Sequence, residues 1–249
     1  MGDISIGGSP TTAPFRVGVV LSKTLAVFSR QLGNFLLLTL IPLIPVLVFT
    51  FLRPPEPSRG LGTANAALYD ALGGILTFVL QIAAQATILY GAFQQMSGQS
   101  FTISQSVQVG LRRTLPVLAV ALSAGLATML AAVLLLVPGL IVLCMLYVAV
   151  PACVIEKLGV TASLNRSAAL TKGHRWKIFG QMMLVGVIAG VVQFFLTRFT
   201  GDGVSAKLLN FAWLVVETSF GAVLAAVVYH DLRVAREGID IDNLANVFD

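Results

Sequence analysis

Glu217 lies in "WLVVETSFGAVL", a stretch with no other charge. If that stretch crosses a membrane, an ionised carboxylate there is costly. Glu217 is then expected to be neutral, paired, or turned toward a polar cavity. Gln81 and Gln85 are four positions apart, so on a helix they share a face. Those two amides could hydrogen-bond Glu217, or they could hold helices together, which is the plainer reading. The chemistry such a trio offers is a proton or cation site.

A second group of residues is basic. Lys157, Arg166, Lys172, Arg175 and Lys177 fall within one segment, and "QMMLVGVIAGVVQFFL", which carries no charge, follows directly. Cations beside an apolar run can bind anionic lipid headgroups, at about 1 kcal/mol per near-surface charge. Ordinary topology-setting charge explains the same pattern. The histidines, His174 and His230, both fall near the ends of apolar runs. No zinc-ligand spacing, nucleophile elbow or phosphate-cradling glycine loop is present, so catalytic residues, metal and cofactors are not expected.

The elements that must position these residues follow from composition. Of 249 residues, 57% are hydrophobic and only 11% are charged, with a mean hydropathy of +0.90. Soluble domains carry about 25% charged residues. The fold class expected is therefore an all-α polytopic membrane protein. The net charge of +5 and pI near 9.6 would suggest nucleic acid in a soluble chain. Here they read as loop cations on the cytoplasmic side, and no nucleic-acid partner is expected.

A spanning helix needs about 20 mainly apolar residues. Six candidates follow. The first is 33–52, where Pro42 and Pro45 predict a kink. The rigid loop "RPPEPSRGLG" comes next. The second span lies within 68–95. The third and fourth share the charge-free run from Thr114 to Ile155, with Pro138-Gly139 as the turn of a tight hairpin. The fifth is about 178–197 and the sixth about 208–229. Asp70 and Arg198 fall near outer span ends and can reach water. Gly186 and Gly190 match the small-xxx-small pattern and predict close helix packing. Cys144 and Cys153 fall in one predicted span, on opposite faces, and are expected to be unpaired packing residues.

Six spans place both termini on one side. With the N-terminus in the cytoplasm, twelve Lys and Arg residues lie inside and four, Arg53, Arg59, Arg198 and Lys207, outside. Both termini are therefore expected to be cytoplasmic.

The inner segments also carry helical patterns. Arg16, Lys23 and Arg30 recur every seven residues, and Ile103, Val107 and Leu111 every four. In "TASLNRSAALTKG", Thr161 is a plausible N-cap and Gly173 a plausible C′ residue. The chain can thus be read as three repeats of an amphipathic interfacial helix plus a transmembrane hairpin. Two-span units argue against an inverted-repeat transporter. The domain division expected is a tail at 1–14 with no cleaved signal peptide and no lipidation, a six-span membrane domain at 15–232, and a cytoplasmic tail at 233–249. The acidic end of that tail is expected to fold back on the basic helices. "HDLRVAREG" is expected to prolong the sixth helix, with Asp231 and Arg233 capping or pairing.

"VPGLIVLCMLYVAVPACVIEKLGVTASLNRSAALTKGHRWKIF" resembles the signature of a bacterial integral membrane family, labelled as the glycerophosphoryl diester phosphodiesterase membrane domain. Pro138, Gly139, Pro151, Glu156, Arg166, Ser167, Leu170, Gly173 and Trp176 carry the resemblance. "YHDLRVAREGID" resembles its C-terminal signature. The resemblance implies a stand-alone membrane domain, located in the bacterial inner membrane with both termini cytoplasmic, without the catalytic barrel that accompanies it in some relatives.

Three functions are compatible with these features. The first is a non-enzymatic membrane protein that organises or handles lipids through its basic cytoplasmic helices. The second is an accessory or assembly subunit of a larger membrane complex. The third is a small transporter using Glu217.

Overall fold

The computed structural model describes residues 17–52, 63–97, 102–201 and 203–237. The expected tail at 1–14, residues 238–249 of the expected tail at 233–249, Arg16, and the loop "RPPEPSRGLG" lie outside the described residues. The described residues form nine helices and no strand. In chain order these are α1 (Val17–Arg30), α2 (Leu32–Leu52), α3 (Thr63–Met96), α4 (Ile103–Leu134), α5 (Leu136–Leu146), α6 (Ala149–Ile155), α7 (Val160–Thr171), α8 (Arg175–Phe199) and α9 (Val204–Glu237). Six segments are long and apolar enough to cross a membrane: α2, Ala66–Met96 of α3, α4, α5 with α6, α8, and α9.

The core is built on α9 and α3. Residues Ala222 to Tyr229 of α9 are buried without interruption. A helix that is apolar all round has no face for water, so it takes the centre. Ile82, Ala86, Ile88, Leu89 and Ala92 of α3 lie in the same cluster. By contrast, only 11% of the apolar window of α4 and of α8 is buried within the chain, against 50% for α9. Leu126, Leu130, Val187 and Phe194 stand exposed on those two helices. In water such faces would be costly; against acyl chains they are not. Phe28 of α1 joins the bundle by stacking on Phe35 at 6.3 Å and meeting Phe220 of α9 edge-on at 5.7 Å.

Helix α2 runs unbroken through Pro42 and Pro45. Several expectations need correction. The turn between the third and fourth spans is at Leu135, whose backbone is extended (φ −160°, ψ 142°), and not at Pro138-Gly139. Pro138 lies in the first turn of α5, where a missing N–H costs nothing. Gly139 serves contact instead of turning. A Cβ there would come within 2.7 Å of the Ala132 backbone, so glycine lets α5 lie against α4.

The fourth span is also two helices. The chain breaks at Tyr147 and Val148, just before Pro151. Pro151 has no N–H to offer the carbonyl four residues back. On the same break, the Met145 carbonyl accepts hydrogen bonds from Ser167 Oγ at 2.7 Å and Thr171 Oγ1 at 3.2 Å. Cys144 and Cys153 therefore belong to different helices, and the single-helix reading of their faces does not apply. Both are buried and free.

The three-unit reading holds in part. Short helices α1 and α7 precede the pairs α2–α3 and α8–α9. The middle segment, 103–113, is continuous with α4 and forms no separate element. Its start is capped by Thr102, whose hydroxyl accepts from the Gln105 N–H at 3.3 Å. The N-cap of α7 is Gly159, so Thr161 lies inside the helix. Gly173 follows the C-cap Lys172 at φ +87°, the left-handed C′ position expected of it. Helix α9 continues past residue 232 to Glu237, and Arg233 to Glu237 belong to the helical bundle and not to a tail.

Candidate functional site

Most of the described charged residues collect at one end of the bundle, where α1, α6, α7 and the C-terminal part of α9 meet. Arg166 of α7 is the hub. Its Nε lies 2.9 and 3.0 Å from the two carboxylate oxygens of Glu156, and its Nη2 lies 2.5 Å from Glu237 Oε1. Arg233 Nε donates to the other oxygen of Glu237 at 3.1 Å. The Tyr229 hydroxyl donates to Glu156. Burial alone would lower the Arg166 pKa, but the hydrogen bonds and charges of Glu156 and Glu237 outweigh it and raise it. Arg166 is thus held as a permanent cation between two carboxylates.

The end of α9 holds the corner between α7 and α8 as well. Arg236 Nη2 donates to the Lys172 carbonyl at 2.7 Å. Gly173 then turns the chain, and the His174 N–H donates to the Thr171 carbonyl at 3.0 Å. Lys23 of α1 pairs with Asp231 at 3.0 Å, which ties α1 to the same stretch of α9. Asp231 also faces His230 Nδ1 at 3.5 Å.

This corner forms the mouth of a cavity of about 350 Å³. Val137, Leu140, Ile141, Cys144 and Phe179 make its apolar wall, and Lys172, Arg175 and Trp176 stand at the α7–α8 corner beside it. Trp176 is 79% exposed. Neither Lys172 nor Arg175 has a carboxylate partner among the described residues, and the buried Arg175 Nε has no hydrogen-bond partner there. Unpaired cations beside an apolar slot can hold an anionic group that carries an apolar body.

The five predicted headgroup residues therefore separate. Lys172 and Arg175 line the cavity. Lys177 is exposed one turn into α8, and Lys157 is exposed on the α6–α7 loop with φ +56°. Arg166 is corrected: both its neighbouring carboxylates already occupy it, so it is an internal ion-pair hub and not a headgroup ligand.

A second cavity, of about 800 Å³, lies between α3, α8 and α9. Gln81, Gln85 and Glu217 all line it. The expected amide–carboxylate bonds are not made. Gln81 Nε2 donates instead to Thr218 Oγ1 at 3.3 Å, joining α3 to α9. Glu217 is exposed toward the cavity side of α9 and has no hydrogen bond or ion pair among the described residues. Gly186 and Gly190 are corrected too. A Cβ at either would meet nothing within 4 Å, so they make no close helix contact among the described residues. The glycines that do are Gly73, against the Phe49 ring of α2, and Gly110 and Gly139, against a neighbouring backbone.

Sequence reasoning named Glu156 and Arg166 but not their pairing, and it missed Tyr229, Arg236 and Glu237. The available signal was an acid and a base flanking the short turn at 157–159, and the i,i+4 spacing of Arg233 and Glu237. Among the described residues, no three His, Cys, Asp or Glu side chains converge as a metal-binding group.

Fold and site together define an all-α, multi-pass membrane protein with a charged end and two cavities along its apolar bundle. No family model, curated protein or solved structure matches this chain.

Proposed function

We propose that this is a non-enzymatic integral protein of the bacterial inner membrane that binds anionic phospholipid on its cytoplasmic side. The observation that supports this is the cavity beside α5. Among the described residues, Lys172 and Arg175 have no carboxylate partner, and they stand next to a wall of Val137, Leu140, Ile141 and Phe179. A phosphate would meet the two cations, and an acyl chain would lie along the wall. Trp176 fits the headgroup level, where amphipathic rings concentrate. The positive-inside bias and the clustering of Lys and Arg at this end favour a cytoplasmic orientation, with both termini on that side. The resemblance to the phosphodiesterase-associated membrane family agrees with a stand-alone membrane domain.

The test is a native mass spectrum after gentle extraction. Retained anionic phospholipid is expected, one or a few molecules per chain. A Lys172→Gln/Arg175→Gln double variant should weaken retention by roughly 30-fold, from about 1 kcal/mol per charge. Equal retention by the double variant would overturn the proposal. A stoichiometric second protein in place of lipid would instead favour the accessory-subunit reading.

A further inference from the structure

We propose that the cavity between α3, α8 and α9 is a binding site for an apolar organic cation, with Glu217 as its counter-charge. It shares no lining residue with the cavity beside α5. The two proposals therefore stand or fall separately.

Position comes first. Along α9, at 1.5 Å per residue, Glu217 lies about 15 Å from Lys207 and about 21 Å from Asp231. A hydrocarbon core is about 30 Å thick, so the carboxylate sits well inside it. It has no partner among the described residues, and no Lys, Arg or His lines the cavity. The lining thus carries one acid and no base. Such a site repels anions, including the phosphate of a lipid, and attracts a positive charge.

The rest of the lining sets the class of cation. Small inorganic cations need six or more oxygen ligands for calcium and an octahedral shell for magnesium. Here one carboxylate, two amides and the Thr218 hydroxyl are set in an apolar wall. Four aromatic side chains, Phe78, Tyr147, Trp213 and Phe220, line the same space. Aromatic faces attract cations whose charge is weakly hydrated, with gains of about 0.5–2 kcal/mol each. The indole Nε1 of Trp213 is buried without a hydrogen-bond partner among the described residues, so none of them commits the ring to another polar group. A volume of about 800 Å³ suits a ligand of drug size. Gly186 and Gly221 contribute to that space: both line the cavity, and a Cβ at either would meet nothing within 4 Å.

The probe is tetraphenylphosphonium, a cation on an apolar body. Its binding to the full chain, purified and placed in zwitterionic nanodiscs, is measured by equilibrium dialysis. Saturable binding of one cation per chain is expected. Glu217→Gln should weaken it at least tenfold. Tetraphenylborate, of the same shape and opposite charge, should not compete. Gly186→Leu adds a side chain into open space without touching the core, and should weaken binding to a similar degree. That variant decides the matter if Glu217→Gln fails to accumulate. The chain has two tryptophans. In Trp176→Phe the remaining Trp213 should be quenched by the probe. The proposal is overturned if wild type shows no saturable binding, if Glu217→Gln binds equally, or if tetraphenylborate binds as well as the cation.

Discussion

Glu156 and Arg166, ten positions apart in the chain, meet through a two-point contact in which Arg166 Nε lies 2.9 and 3.0 Å from the two carboxylate oxygens. Glu237 of α9 takes the Nη2 side of the same guanidinium at 2.5 Å. These side chains are 18–25% exposed, so water screens them only in part. Arg166→Ala would leave two carboxylates without their cation. The expected loss is roughly 2–3 kcal/mol, below the value for a fully buried pair. Arg166→Lys should recover little of it, because a lysine cannot make the forked contact. Unfolding in graded denaturing detergent reads this directly. An unchanged midpoint for Arg166→Ala would show that the hub does not hold α7 to α9.

At Gly110, α4 lies directly against the backbone of α3. A Cβ there would fall 2.1 Å from Thr87 Cγ2 and 2.9 Å from the Thr87 backbone. Thr87 is buried, and its hydroxyl is bonded to the Ala84 carbonyl at 2.7 Å, so it has little room to shift. Gly110→Leu should cost roughly 1–3 kcal/mol or more through overpacking. Gly186→Ala is the contrast, because its new methyl meets open space. It should cost nothing measurable in the same unfolding assay.

Lys157 holds φ +56° at the end of α6, where glycine is the usual residue. Its side chain is exposed and makes no ion pair among the described residues. Lys157→Gly removes the strain of a left-handed residue and should stabilise the protein by about 1 kcal/mol. A loss of stability would mean that Lys157 makes a contact that outweighs its backbone.

His174 sits at the corner between α7 and α8, and its pKa is held below the ordinary value, chiefly by burial and then by the charge of Lys177. The folded state therefore takes up a proton less readily than the unfolded chain. The stability this contributes is full above about 6.5, the unfolded value, and is lost as pH falls through the lowered folded value. Thermal unfolding between pH 5 and 8 should show that acid-side decline. His174→Gln should flatten it. A decline of equal size in the variant would assign it to other groups.

Much of the architecture is legible in the amino-acid order. The six apolar segments are, because a spanning helix needs only a length and a composition. So are the prolongation of α9 beyond His230 and the left-handed Gly173, which depend on neighbours a few residues away. Two local rules misled. Pro138-Gly139 has turn chemistry, but proline is equally at home in a helix's first turn, and Gly139 is explained by Ala132 across the hairpin. Gly186 and Gly190 have the spacing of a packing motif, yet spacing says which residues share a face and not whether a helix covers that face.

The sequence by itself determined the class of protein, its number of crossings and the end at which its cations gather, because each follows from local composition and periodicity. Only the tertiary structure decided which cations are engaged and which have no acidic partner among the described residues. Arg166 looks like Arg175 along the chain. It differs because α9 returns to set Glu237 beside it, while Arg175 faces an apolar cavity with no acid of the described residues in its lining. The same return brings Glu217 into one cavity with Gln81 and Gln85. Such pairings join residues far apart in the chain. They are fixed by how the helices pack, which no short stretch of residues encodes.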